Sequence, residues 1–287
     1  MLIFVNKRLD MSGVFTLSLK ITNWCNLNCL HCAENSGCHE PLNFMDLKKF
    51  EQYIYEFKKL PFKISEHVLI SGGEGLAPYL FGQPDYIPTA LRYIQSANFV
   101  PTIKTNGVWG KRYDIRMQIL KDLAKCAYDS GNLVTLDISV DEFHNNITSV
   151  ANVIASALSS DDIMYGVRIC LVGFYTFKSI NALSKLWQEL IYRDLYIDFL
   201  SDGNWGVYNS RGTGFQVIVD YHNAVFDLGR AKQNNVYTVS GFPKLQNENC
   251  LIIDNNDIVT LNHVYSEKIA GRKTQNVIET LVRQYGE

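Results

Sequence analysis

Nowhere does this 287-residue sequence hold an apolar run approaching the roughly 18 residues that a membrane helix requires. Its N-terminus, MLIFVNKRLD, is too short in its apolar part and too soon interrupted by charge to serve as a secretory signal, so the cytoplasm is the expected location. An excess of either charge is also lacking. The 27 Lys and Arg against 29 Asp and Glu leave a formal net charge of -2, which gives no electrostatic reason to expect nucleic acid or another polyanion as partner. Low-complexity tracts and internal repeats are missing too. With 47% hydrophobic residues, the chain can bury one large core with a modest appendage.

The cysteines lack the even count of a disulfide framework. There are 7, at positions 25, 29, 32, 38, 126, 170 and 250, and three of them crowd into one short stretch. That pattern favours reduced thiols with a metal-binding task. Cys126 and Cys170 fall in a helix-like and a strand-like segment and read as core. Cys38 sits in a polar loop and takes no assigned role.

What is present is a rhythm. Strand-like Phe15–Ile21 runs into the cysteine cluster; helix-like Leu47–Lys59 precedes the strand His67–Ile70. Ile87–Ala97, Arg112–Tyr128, Asn145–Ala157 and Ser179–Ile191 read as helices, alternating with strands at Thr102–Thr105, Leu133–Ser139, Tyr165–Val172 and Leu195–Leu200. This repeated βα unit predicts an α/β fold with a parallel sheet covered by helices. Polar and glycine-containing residues follow the strands, at Asn23, Gly72–Glu74, Asn106–Gly107, Asp141 and Ser201–Gly203, at the edge where βα folds bind ligands. Beyond residue 202 the rhythm breaks. Asn204–Gly214 reads as a loop, Leu251–Ile253 with Ile258–Leu261 as a hairpin, and Asn276–Tyr285 as a terminal helix.

The most informative segment is Cys25-Asn26-Leu27-Asn28-Cys29-Leu30-His31-Cys32. Three thiolates at this spacing can surround one metal centre if the backbone turns tightly. Soft sulfur ligands suit an iron–sulfur cluster, and three of them leave one iron open. A zinc site completed by His31, Cys38 or His39 is the competing reading of the same residues.

The CxxxCxxC run after the first strand resembles the signature of the radical SAM superfamily, which cleaves S-adenosylmethionine (SAM) reductively. Ser71-Gly72-Gly73-Glu74 after the second strand is similar to that family's GGE motif. Thr105-Asn106-Gly107 closes the third strand, and Ser139-Val140-Asp141-Glu142-Phe143-His144 closes the fourth. The resemblance covers residues 15–202 and implies a partial (β/α)6 TIM-like barrel over residues 1–202, with a small C-terminal extension over 203–287 covering the barrel mouth. It further implies that Cys25, Cys29 and Cys32 hold a [4Fe–4S] cluster whose open iron takes SAM. His31 stacks on adenine or shields the cluster, Gly72 and Gly73 admit the methionyl backbone, and Glu74 accepts from the SAM ammonium.

Asn106 and Ser139 are candidates for the SAM carboxylate or ribose. Asp141, Glu142 and His144 either touch cofactor or substrate or hold their own loop, Asp141 as a helix cap. Arg168 stands in an apolar strand and needs a partner if buried, from SAM, substrate or a structural acid.

Gly229-Arg230-Ala231 and the stretch from Cys250 resemble the opening of a SPASM-like extension. The cysteine expected after the hairpin is replaced by Leu261, Asn262 and His263, so an auxiliary cluster is not expected. Cys250 is either a core residue or a thiol hydrogen-atom donor. The resemblance implies an oxidoreductase-type enzyme that modifies a C–H bond of a peptide or amino-acid-like substrate, with an electron donor such as flavodoxin or ferredoxin. No leader-binding winged-helix appendage is expected at the N-terminus. A small metabolite bound near Asp198, Asp202, Asn204 and Arg211 is the second expectation, and a non-catalytic metal-binding scaffold the third.

Overall fold

The structure is a computed structural model that describes residues 14–32, 35–174, 176–201, 204–222, 248–261 and 265–285. Among the described residues, eleven strands form one open sheet in the order β11-β10-β9-β1-β2-β3-β4-β5-β8-β7-β6. Its centre is parallel. β1 (Val14–Lys20), β2 (Ile64–Ser71), β3 (Val100–Thr105), β4 (Val134–Ser139) and β5 (Val167–Phe174) pair in chain order, joined through helices. This is an α/β fold with a mostly parallel sheet, consistent with the partial TIM-like barrel read from the sequence.

The central strands alternate sharply. On β1, Phe15, Leu17 and Leu19 are fully buried in the helix-side core, while Ser18 and Lys20 point to the other face. The same alternation puts Leu136 and Ile138 of β4 in the core and leaves Asp137 and Ser139 opposite.

The helices follow from amphipathic sequences with defined starts. Helix α1 (Leu47–Lys58) begins at Asp46, whose carboxylate caps the amides of Lys48 and Lys49. It buries Phe50, Tyr53, Ile54 and Phe57, each worth about 1.5–3 kcal/mol if fully removed from water. Helices α2 (Ala77–Leu80), α3 (Tyr86–Ser96), α4 (Tyr113–Ser130), α5 (Ile147–Ala157), α6 (Asp161–Gly166) and α7 (Phe177–Ile191) complete the layer, with α8 (Thr274–Tyr285) near the C-terminus.

Three local readings change. Tyr165 lies in α6, which runs to Gly166, and β5 starts at Val167. Leu195–Leu200 is not a sixth parallel strand: β6 (Tyr196–Phe199) is an antiparallel edge strand, and β8 (Gly214–His222) takes the place beside β5. The reason is burial, because Tyr196 and Phe199 are exposed where a central parallel strand is covered on both faces. Asn204–Gly214 is not all loop. β7 (Trp205–Tyr208) pairs with β6 and β8, and the Trp205 ring packs 5.2 Å from both Trp187 and Phe199.

The tail joins the same sheet. β9 (Glu248–Asp254) pairs in parallel with the outer side of β1, and β10 (Ile258–Leu261) and β11 (Tyr265–Lys268) continue antiparallel. The turn between β9 and β10 is fastened to α1. Asp257 accepts from Lys49 Nζ at 2.6 Å and from the Tyr53 hydroxyl at 2.7 Å.

Candidate functional site

The C-terminal ends of β1 to β4 converge on the cysteine loop. Burial pushes the Cys25 thiol up to about 12; the Glu74 charge adds to this, the Leu27 amide opposes it, and the nearby Cys29 and Cys32 sulfurs raise it further. The Cys32 amide bonds to the Cys29 carbonyl at 3.2 Å, closing the tight turn that the spacing demands. Cys29 and Cys32 are half-buried, whereas Cys38 is exposed. His39 pairs with neighbouring Glu40 at 3.3 Å.

Gly72 and Gly73 are fixed by backbone proximity to this loop. The Gly73 amide bonds to the Thr22 carbonyl at 2.8 Å, and the Glu74 amide to the Trp24 carbonyl at 3.1 Å. A Cβ at Gly73 would overlap the Trp24 carbonyl oxygen. Gly72, at φ 129°, has a conformation that side chains rarely adopt, and a Cβ there would overlap the Thr22 oxygen.

Glu74 is 1% exposed, and its carboxylate links two strand ends. Oε1 accepts from the Thr105 hydroxyl at 2.6 Å and the Leu76 amide at 3.0 Å, and Oε2 accepts from the Asn106 amide at 2.9 Å. Burial raises its proton affinity, against these three hydrogen bonds. Asn106 is also buried, with its side-chain Nδ2 2.6 Å from Asn26 Oδ1 and 3.6 Å from Cys25 Sγ.

The loop after β4 supplies rings and a second acid. Asp141 accepts from the Phe143 amide and from His144 Nδ1, both at 2.8 Å. Burial opposes its charge, yet His144, His31 and the Phe143 amide hold it below the usual carboxylate range. Burial likewise disfavours the His144 cation, but Asp141 and a hydrogen bond with Cys29 push this imidazole up to about 10. The His31 ring stacks on Phe143 with centroids 4.3 Å apart, and its neighbours include His144 and Phe174. His31, Asp141 and His144 bring potential ligand atoms within 4.8 Å of one another, beside the thiols.

Several candidates from the sequence sit elsewhere or do other work. Asp141 does not cap α5, because that position is Asn146, whose Nδ2 bonds to the Asn106 and Ser139 carbonyls. Glu142 accepts from Thr176 and Ser179 and so fixes the start of α7. Arg168 is exposed on β5 and so needs no buried counter-charge. Cys250 lies on β9, opposite Thr16 of β1. Asp198 lines an open depression with Tyr196 and Tyr208, separated from β1 in the sheet by β2, β3, β4, β5, β8 and β7. Asp202, Asn262, His263 and Gly229–Ala231 lie outside the described residues.

Asn26, Asn146, Phe143 and Phe174 escaped the sequence reading. Asn26 lies inside the cysteine motif and Phe143 inside the following-strand motif, so their position was visible although their contacts were not. Among the described residues, no helix is long and apolar enough to cross a membrane.

A model of the Radical SAM superfamily matches residues 19–172, just over half of the chain and ending before its tail. Among solved structures, native anSMEcpe with bound AdoMet is similar over 94% of this chain and 82% of that one, with a TM-score of 0.52 and 12% identity. Native anSMEcpe with bound AdoMet and the Kp18Cys peptide is similar over 95% of this chain and 84% of that one, with a TM-score of 0.51 and 11% identity. At these identities the likeness is one of fold. No curated protein sequence matches.

Proposed function

The chain belongs to the radical SAM superfamily, and on that premise we propose that it is an oxidoreductase-type enzyme that abstracts hydrogen from a peptide or amino-acid-like substrate. Members of the superfamily are enzymes that use a [4Fe–4S] cluster and SAM. When bound, this pair supplies a one-electron cleavage of SAM to methionine and a 5′-deoxyadenosyl radical.

Cys25, Cys29 and Cys32 would hold the cluster. Three soft thiols in one partly buried turn, next to a GGE backbone locked onto it, fit such a group. Burial favours the protonated Cys25 thiol, so this residue would give up its proton on holding iron. Glu74 Oε2 accepts from the Asn106 amide, and its second lone pair can receive the SAM ammonium. The rings of His31 and Phe143 offer an apolar surface for adenine, and Ser139, Asp141 and His144 line the adjoining strand end.

The observation that favours an amino-acid-like substrate is the charge on the sheet face opposite the helices. There Lys104 and Asp137 stand 3.5 Å apart on neighbouring strands, with Arg168 on the next. Paired charges of both signs suit a zwitterion or a peptide backbone better than a neutral sugar. The similarity in fold to anSMEcpe, whose structure contains a peptide, points the same way. A C-terminal extension over residues 203–287, SPASM-like in its opening, completes the proposed architecture. Cys250 remains a candidate hydrogen-atom donor, and a flavodoxin or ferredoxin the candidate reductant.

The test is SAM turnover in anaerobic protein, with and without short peptides encoded beside the gene. Stimulation of 5′-deoxyadenosine release and a mass change in a peptide support the reading. Turnover with small metabolites alone would replace it.

A further inference from the structure

The Asn106 carboxamide is locked by its own loop. Its Oδ1 accepts from the Val108 amide at 3.0 Å, its backbone amide donates to Glu74 Oε2 at 2.9 Å, and its carbonyl accepts from Asn146 Nδ2. With the oxygen committed to Val108, the NH₂ end faces the cysteine loop. Turning the amide over would set its oxygen against Asn26 Oδ1 and leave the Val108 amide facing a donor. The two Nδ2 hydrogens therefore divide between Asn26 Oδ1 at 2.6 Å and Cys25 Sγ at 3.6 Å. The Leu27 amide reaches the same sulfur at 3.4 Å. Each polar group of Asn106 thus has a partner inside the chain, and its side chain offers no spare donor to SAM.

We propose that Asn106 is a positioning residue for the cluster, whose carboxamide donates to the Cys25 thiolate and raises the reduction potential of the centre. This rests on the reading that Cys25, Cys29 and Cys32 hold a [4Fe–4S] cluster. Hydrogen bonds to cluster sulfurs withdraw electron density and favour the reduced state. The loop after β3 therefore sets how readily the centre accepts an electron, before any substrate arrives. The neutral amide supplies this effect over the whole working pH range, since it carries no titrating group.

The experiment is a potentiometric titration of the reconstituted full chain without SAM, followed by electron paramagnetic resonance, for the wild type and Asn106→Asp. The aspartate keeps an oxygen for the Val108 amide and replaces the donor by an acceptor. The expected result is normal iron and sulfide content with the reduction equilibrium weakened at least about tenfold, which for one electron is about 59 mV toward negative potential. A cluster of unchanged potential in Asn106→Asp overturns the inference while leaving the cluster assignment intact. A wild-type chain that assembles no cluster overturns that assignment, and the inference with it.

Wild-type protein labelled with ¹⁵N in asparagine side chains gives a second measurement that does not depend on the variant folding. A ¹⁵N coupling to the reduced cluster in pulsed resonance spectra supports the contact, and a spectrum without one refutes it.

Discussion

The Thr105 hydroxyl donates to Glu74 Oε1 at 2.6 Å, tying the end of β3 to the loop that follows β2. The same hydroxyl accepts from Trp109 Nε1 at 2.8 Å and from the Gly107 amide at 3.1 Å. One buried acid thus orders two strand ends against the cysteine loop. Its first task in this chain is to hold backbone, whatever else its remaining lone pair receives.

Glu74→Gln should therefore destabilise the fold even in the empty protein. The amide keeps an oxygen for some of the three donors but turns an NH₂ toward another. A loss of about 2 kcal/mol is expected, the range for hydrogen bonds to a charged group. Urea unfolding followed by circular dichroism measures it. An unchanged midpoint would show that the three contacts carry no net stability.

Gly73→Ala should impair cluster loading more than overall folding. The new methyl meets the Trp24 carbonyl oxygen, one residue before Cys25, so the cysteine loop has to move. Overpacking of this kind costs roughly 1–3 kcal/mol. Iron content after reconstitution should fall by more than half while the far-ultraviolet spectrum stays close to that of the wild type. Full iron loading would contradict the tight pairing of the two loops.

A pH-dependent contribution lies at the tail. Burial disfavours the Asp257 charge, but Lys49 and Tyr53 hold its carboxyl below the usual carboxylate value. A depressed acid stabilises the fold above its unfolded value of about 3.9, and loses that contribution as pH falls through the folded value. Asp257→Asn should cost about 1 kcal/mol at pH 7, modest because the Lys49 pair is partly exposed. That difference should shrink as pH falls below the unfolded value and vanish once the carboxyl is protonated in both states. Chemical denaturation of both proteins across this range checks it, and a deficit that persists in acid would point to shape instead of charge.

The sequence made the parallel centre legible because β1 to β5 alternate and are separated by amphipathic helices. It was less informative at the edges. β6 looked like a central strand because Tyr196, Ile197 and Phe199 are apolar, yet two of them face water. β7 hid among Gly, Asn and Ser although Trp205 and Val207 pack inward. At the site, the cysteine spacing and the GGE motif singled out two loops that the structure brings together through the Gly73 and Glu74 amides. The role of Asn106 was not readable, because it depends on an amide orientation fixed by Val108, Glu74 and Asn146 from three different segments. Asp141 looked like a helix cap from its neighbours in sequence, but its carboxylate turns instead to His144.

The central claim is tested most directly by anaerobic reconstitution and reduction with SAM present, with iron and sulfide counts alongside mass spectrometry for 5′-deoxyadenosine. The account predicts about four iron and four sulfide per chain, release of 5′-deoxyadenosine, and loss of both in Cys29→Ala. Zinc or no cluster in the wild-type chain, with SAM left intact, would contradict it.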